Sequence, residues 1–213
     1  GRLAVDDQTR IRVPVRERAS EYRSKPRRFA PNCSAAVRLG VVIPTLNAGP
    51  RWYECLAALA AQSLKLRRCL VIDSASNDET VALAKASGAE VKSISRAEFS
   101  HGGTRQGAIQ HLSDCDIVVF LTQDAILASP DSLAELVRCF EDPRVAVAYG
   151  RQLPHRDATP IEAHARLFNY GAITQRKDLS SIDCLGAKAF FCSNSFAAYR
   201  RAILMKLGGF RTD

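Results

Sequence analysis

The chain has 213 residues, 46% apolar and 24% charged, a profile that excludes wholesale disorder, collagen-like repeats and a disulfide-stapled miniprotein. No stretch approaches the roughly 18 apolar residues of a membrane-spanning helix, and no basic end followed by an apolar core marks a signal peptide. The formal charge of +8 is uneven: residues 1–38 hold ten Lys/Arg against four acids, a surplus of six, so the rest is close to neutral. That near-neutrality argues against a nucleic-acid-binding face on the folded part.

Residues 1–38 show no sustained period, and Pro14 interrupts the alternation of Ile11, Val13 and Val15. The segment reads as a basic arm or linker, solvated or in contact with anionic lipid headgroups. From Leu39 short apolar runs alternate with amphipathic helical windows. Strands are predicted at Leu39–Ile43 (ending at Pro44), Cys69–Ile72, Glu90–Ile94, Ile117–Leu121 and Val145–Ala148. Helices are predicted between them at Arg51–Leu64, Asp78–Ser87 and Gly103–Leu112. A fourth carries Leu133, Leu136, Val137 and Phe140 on one face, after Ser129 as N-cap and Pro130 and Asp131 in the first turn. This rhythm predicts an α/β fold with a mainly parallel sheet and helices on both faces. After Tyr149 it weakens, with a helix expected over Ile161–Gln175, a strand over Ala189–Tyr199, and a helix over Arg200–Leu207 closed by Gly208-Gly209. The stop at Asp213, soon after that cap, does not look like a natural domain end.

Seven scattered cysteines form no CxxC pair, and no His lies at zinc-finger spacing. Those on apolar runs read as reduced thiols packed as small core residues, as in a cytoplasmic protein.

Ligands bind open parallel sheets beyond the carboxyl ends of the strands. Three strands here end in polar clusters: Pro44-Thr45-Leu46-Asn47, Asp73-Ser74-Ala75-Ser76-Asn77-Asp78, and Thr122-Gln123-Asp124. Asp78 reads as a helix cap and Asp73 as either a turn former or a ligand contact. Asp124, after five apolar residues on a central strand, is hardest to explain structurally. No dinucleotide-binding or P-loop glycine motif is present, so phosphate must be met by a metal on Asp124 or by cationic side chains.

These segments, Val41–Asn47 and Val71–Thr80, resemble the opening of family 2 glycosyltransferases with the GT-A fold. The resemblance continues through Phe99–Gln106, Leu121–Ala125, Ser193–Arg201 and Gly208-Gly209-Phe210, covering roughly residues 39–210, and is nearest the bacterial rhamnosyltransferase branch. It implies one GT-A domain over residues 39–213, truncated at its C-terminus, that moves rhamnose from dTDP-rhamnose, with inversion, to a glycan or lipid-linked acceptor in cell-surface polysaccharide synthesis. It also implies a cytoplasmic location, with peripheral contact at the inner membrane face through the basic arm, and no nucleic-acid partner.

By the same resemblance, Pro44, Thr45, Asn47 and Asp73 hold the nucleotide base and ribose, Arg105 faces the donor diphosphate, and Gln123 bonds donor sugar or ribose. Asp124 matches the last acid of the Asp-x-Asp motif and binds Mg²⁺ or Mn²⁺, with Thr122 in place of the first acid. Asn194 and Ser195 lie on the acceptor side, and His101 is either a sugar or phosphate contact or a loop-packing residue. The general base is expected in a Glu-Asp pair after Gly-Gly-Phe, which Arg211-Thr212-Asp213 does not contain, so it is expected beyond Asp213. Two alternatives stand beside transfer: a non-catalytic nucleotide-sugar binding or scaffold module, and a sugar-phosphate nucleotidyltransferase. The second usually needs a Gly-rich, Arg/Lys-bearing loop that Pro44–Asn47 is not.

Overall fold

The computed structural model describes residues 37–155 and 157–212. The basic arm predicted over residues 1–38 lies outside them apart from Val37 and Arg38. Arg38 is tied to the domain, its guanidinium pairing with Asp116 at 2.7 Å.

Six strands form one sheet in the order β3-β2-β1-β4-β6-β5. They are β1 (Leu39–Thr45), β2 (Arg68–Asp73), β3 (Glu90–Ser93), β4 (Ile117–Leu121), β5 (Val147–Tyr149) and β6 (Phe196–Arg200). The first four pair in parallel; β6 pairs antiparallel with both β4 and β5. The helices are α1 (Arg51–Ala60), α2 (Thr80–Ala86), α3 (His101–His111), α4 (Ser132–Arg138), α5 (Pro160–Asn169), α6 (Ile182–Leu185) and α7 (Arg201–Lys206).

The apolar runs are continuous because the central strands are covered on both faces. Along β4, Ile117, Val119 and Leu121 enter a core with Trp52, Leu56 and Leu59 of α1 and Leu133 and Leu136 of α4. Val118 and Phe120 point the other way, into a core with Ala108 and Ile109 of α3, against which Leu204 and Met205 of α7 and Phe210 pack. Phe120 meets Tyr199 and Phe210 edge-on, with ring centroids 5.9 and 5.3 Å apart.

β1 runs through Pro44 rather than ending there. Leu39 and Thr45 direct their carbonyls to the β2 side, so alternation turns Pro44 toward β4, beyond the last β1–β4 pair, Val42↔Phe120. Its missing N–H therefore costs no ladder bond.

Several predicted boundaries shift for identifiable reasons. α1 ends at Ala60, not Leu64, because Ser63 N–H bonds Pro130 O at 2.8 Å and the Gln62 amide bonds Ser129 O and Leu133 N. α4 starts at Ser132 with Asp131 at the N-cap position, and Ser129 Oγ accepts from Asp131 N one turn earlier. β5 omits Val145, whose carbonyl accepts from the Arg200 guanidinium. β5 also lies at the sheet edge, separated from β4 by β6, so the fifth strand does not continue the parallel series. The helix expected to Gln175 stops at Asn169, where buried Tyr170 gives its carbonyl to Arg151. The strand expected from Ala189 begins at Phe196; Gly186–Phe190 is a 3-10 turn, and Ser193–Ser195 turn the chain into register with Leu121.

Six cysteines among the described residues are free. Burial pushes the Cys55 thiol up to about 12 and the Cys69 thiol up to about 11, as expected of packed, unreactive groups. Among the described residues no helix is long and apolar enough to cross a membrane.

An ion-pair cluster closes the sheet edge where β2 and β3 begin. Arg68 meets Glu90 at 2.5 Å and Asp114 at 3.3 Å, and His111 also contacts Glu90. Arg68 first, then His111, hold the Glu90 carboxyl below its usual 4.5. A depressed folded pKa contributes stability above the ordinary value that is lost as pH falls through the folded one. The thermal midpoint should therefore drop on acidification from about pH 5 to about pH 3, and Glu90→Gln should flatten the drop. Because the cluster is partly exposed the effect should be modest; parallel curves for the two proteins would count against it.

Candidate functional site

The loops after β1, β2 and β4 meet at the carboxyl edge of the parallel strands and are bonded to one another. Asp73, 2% exposed, is the anchor. One of its oxygens accepts from Thr45 Oγ1 at 2.9 Å and Ser76 Oγ at 2.5 Å, and the other from Ser76 N at 2.9 Å. Ser76 Oγ also accepts from Asn47 N at 2.8 Å, and Asn47 Oδ1 accepts from Asn77 N at 2.9 Å. Ala48 N donates to Thr80 Oγ1, and Trp52 Nε1 donates to Thr80 O. Asn47 and Ala75 sit at φ 45° and 63°. Asn tolerates this left-handed region, whereas Ala does so at some strain, typical of a tightly determined loop. α2 starts at Thr80 with Glu79 at the N-cap position, so the helix begins two residues later than expected and Asp78 lies just ahead of the cap. Asp78 still accepts from Thr80 N, and its Thr80 bonds hold its carboxyl below the usual range.

The third loop is locked to the first. Gln123 Oε1 accepts from Leu46 N at 2.8 Å and its Nε2 donates to Leu46 O at 3.2 Å. Both polar atoms of that amide are thus engaged within the chain. Asp124, the next residue, is exposed, and among the described residues no hydrogen bond or ion pair engages its carboxylate. Among the described residues no three His, Cys, Asp or Glu side chains cluster to hold a metal. A lone carboxylate still fits a hard divalent cation whose remaining ligands come from substrate phosphates and water.

α3 begins at the same edge. Ser100 caps it, accepting from Gly103 N at 3.0 Å, and Thr104 Oγ1 accepts from Ser100 N. A Cβ at Gly102 would overlap the Arg211 carbonyl oxygen, so glycine there permits the chain after α7 to lie on the first turn of α3. Gln106 Oε1 accepts from Phe210 N at 2.9 Å and holds that approach. Arg105 projects from this turn, its guanidinium carbon 6.0 Å from the Phe120 ring. Its Nη1 donates to His101 O at 2.8 Å, its Nε is buried without a partner among the described residues, and burial lowers its pKa. His101 is exposed, edge-on to Phe99 at 5.2 Å and 3.5 Å from Arg105 Nη1.

Asn194 and Ser195 come to this edge from the far side. Ser195 O accepts from Thr122 N at 3.2 Å, beside the Asp124 loop. Asn194 Oδ1 accepts from Tyr199 O–H at 2.7 Å. Burial, and next the contact with Cys192, raises the Tyr199 pKa, keeping it a neutral donor.

The residues singled out in the sequence therefore share one sheet edge. Thr45, Asn47 and Asp73 form one bonded unit with Ser76, Gln123 is joined to it through Leu46, Asp124 stands unpaired, and Arg105 lies on α3. Sequence reasoning missed the joining role of Ser76 and Thr80, which only their position in the Ser-Ala-Ser-Asn-Asp-Glu-Thr run could have suggested. Gln106 and its hold on Phe210 left no local signal.

Residues 40–208 match the family model described as Glycosyl transferase family 2. The chain is 46% identical over 175 residues to O-antigen chain rhamnosyltransferase RfbN of Salmonella typhimurium, a match covering 82% of this chain and 56% of that protein. It is 46% identical over 171 residues to O-antigen chain rhamnosyltransferase WbaN of Salmonella anatum, covering 80% of this chain and 54% of that protein. The chain thus spans little more than half the length of these relatives. Among solved structures, mannosyltransferase PcManGT of Pyrobaculum calidifontis, in complex with GDP-Man and Mn²⁺, superposes with a TM-score of 0.59 at 24% identity, covering 89% of this chain and 52% of that one. S. aureus TarS with UDP-GlcNAc gives 0.59 at 17% identity, covering 82% and 48%. Both likenesses support the same fold.

Proposed function

The chain belongs to glycosyl transferase family 2, and on that premise we propose that it is part of an inverting transferase moving rhamnose from dTDP-rhamnose to a glycan or lipid-linked acceptor in cell-surface polysaccharide synthesis. The observation carrying this reading is the exposed, unpaired Asp124 carboxylate at the end of central strand β4, beside two loops bonded into one rigid edge. The sugar is inferred from the relatives named O-antigen chain rhamnosyltransferases. A lipid-linked acceptor would put the work at the cytoplasmic face of the inner membrane, with the basic arm beside anionic headgroups.

The loops act as a preformed nucleotide cradle. The Pro44–Asn47 segment and the Asp73 turn receive base and ribose, held by the Thr45, Ser76 and Gln123 bonds before donor arrives. Gln123 sets the spacing between the two loops. Arg105, with no carboxylate bonded to it among the described residues, supplies fixed positive charge for the diphosphate, where negative charge grows as the glycosidic bond breaks. A divalent cation held by Asp124 and the diphosphate would neutralise the departing group. The acceptor hydroxyl must lose a proton as it attacks the anomeric carbon. Gln106 steers the chain after Phe210 past the start of α3, consistent with the family expectation of a base following Gly-Gly-Phe.

Calorimetric titration with dTDP, UDP and GDP, each with and without Mg²⁺ or Mn²⁺, tests this reading. Metal-dependent binding selective for dTDP is expected. Equal binding of the three would remove the donor assignment, and no binding of any would remove the transferase reading of this chain.

A further inference from the structure

A groove of about 530 Å³ lies between α5 and the 191–194 segment, within the size range of small-ligand sites. We propose that it binds one neutral pyranose ring of the acceptor glycan; the identification as an acceptor subsite rests on the transferase reading above.

Its position follows from topology. β5 ends and β6 begins at the same sheet edge, where Gly150 N donates to Phe196 O at 2.9 Å, so residues 150–195 leave and rejoin the sheet beside the candidate site. A Cβ at Gly150 would overlap the Phe196 ring, so this return requires glycine. The excursion is fastened at both ends: Asp157 pairs with Arg51 at the start of α1 at 2.7 Å, and Ser195 bonds Thr122. One wall of the groove, the 191–194 segment, is therefore joined through the Ser195 carbonyl to Thr122 in the loop that carries Asp124.

Its chemistry suits a sugar. A pyranose has an apolar C–H face and a rim of hydroxyls, so it needs an aromatic surface and mixed donors and acceptors. Phe191, 41% exposed, supplies the aromatic surface, and buried Tyr170 backs it edge-on at 5.9 Å. Around them stand Asn169, Asn194, Glu162 and Arg166. Asn194 uses only its oxygen on Tyr199, leaving its amide N–H groups. Glu162 uses only Oε2 in capping α5, leaving Oε1 as an acceptor. Among the described residues the Asn169 side chain makes no hydrogen bond, so its amide offers both functions. The walls are braced, Gln152 donating to Ser193 Oγ at 2.8 Å and Arg151 to Tyr170 O at 3.1 Å. The Glu162 and Arg166 charges offset each other, so the groove lacks the concentrated positive charge a diphosphate needs and suits an uncharged sugar.

Saturation-transfer NMR with the methyl glycosides of rhamnose, mannose, galactose and glucose, on the 213-residue chain, tests the groove. At least one glycoside should show transfer, reduced about fivefold or more by Phe191→Ala and, separately, by Asn169→Ala. Asn169 is exposed, so its variant should keep the fold if Phe191→Ala does not. Calorimetric dTDP affinity, measured on the same samples, should be unchanged by either variant. Undiminished transfer in a folded Asn169→Ala chain, or no transfer from any glycoside, overturns the groove. Groove-dependent glycoside binding without dTDP binding would uphold the groove as a sugar site and overturn the transferase reading instead.

Discussion

Asp73→Ala should destabilise the protein by about 2–4 kcal/mol, since it strands the buried Thr45 hydroxyl together with the Ser76 hydroxyl and N–H. For a domain of this size that corresponds to a fall in thermal midpoint of roughly 5–15 °C. Ser76 is only half-buried and water can replace part of its loss, which keeps the figure below three full desolvation penalties. Asp73→Asn retains one acceptor oxygen and should lose less. The pair also separates two roles for this carboxyl. If it only braces the loops, dTDP affinity should follow stability across both variants. If it also touches the nucleotide, as the family resemblance implies, Asp73→Asn should lose affinity while still folded. An unchanged midpoint for Asp73→Ala would contradict the hydrogen-bond network described for the site.

Asp124→Asn should have the opposite profile. Its side chain is exposed and unpaired among the described residues, so the midpoint should move by no more than about 0.5 kcal/mol equivalent. In Mg²⁺ or Mn²⁺, losing one charged ligand contact worth about 1.5–3 kcal/mol should weaken dTDP binding about 10- to 150-fold. With metal chelated the sign should reverse. Removing a negative charge beside an anionic diphosphate should then leave binding equal or slightly tighter, most visibly at low salt. Equal affinity for wild type and variant in metal would sink the metal assignment. Weakening of the same size with and without metal would instead make Asp124 a direct donor contact.

The two carboxylates show why residue type alone does not assign a role. Both close apolar strands and both sit in polar clusters, and although the sequence marks Asp124 as the harder to explain structurally, it leaves Asp73 open between turn former and ligand contact. Asp73 is turned inward by the tight Ser-Ala-Ser turn and consumed by three donors, whereas Gln123, bonded on both sides to Leu46, leaves Asp124 facing outward. Those bonds join positions 28 and 77 apart in sequence, and no local pattern records them.

Much of the fold was nonetheless readable from the chain. Apolar runs of strand length and helical faces of the 3.6 period are local properties, and they located β1 to β4 and α1 to α4 within a few residues. The polar clusters at strand ends likewise marked the working edge, because a parallel sheet with short connections must bring those ends together. What only the tertiary structure decided is how the later segments join that frame. β6 enters antiparallel between β4 and β5 because Phe196–Arg200 finds its partners in Ile117–Leu121, a pairing set by contacts across a long excursion. The groove exists for the same reason: Asn169 and Tyr170 meet Phe191 and Asn194 only because both ends of that excursion are held at one edge. Local periodicity specifies elements, whereas strand order, the engagement of each polar group and the walls of a cleft depend on distant residues reaching hydrogen-bond or van der Waals distance.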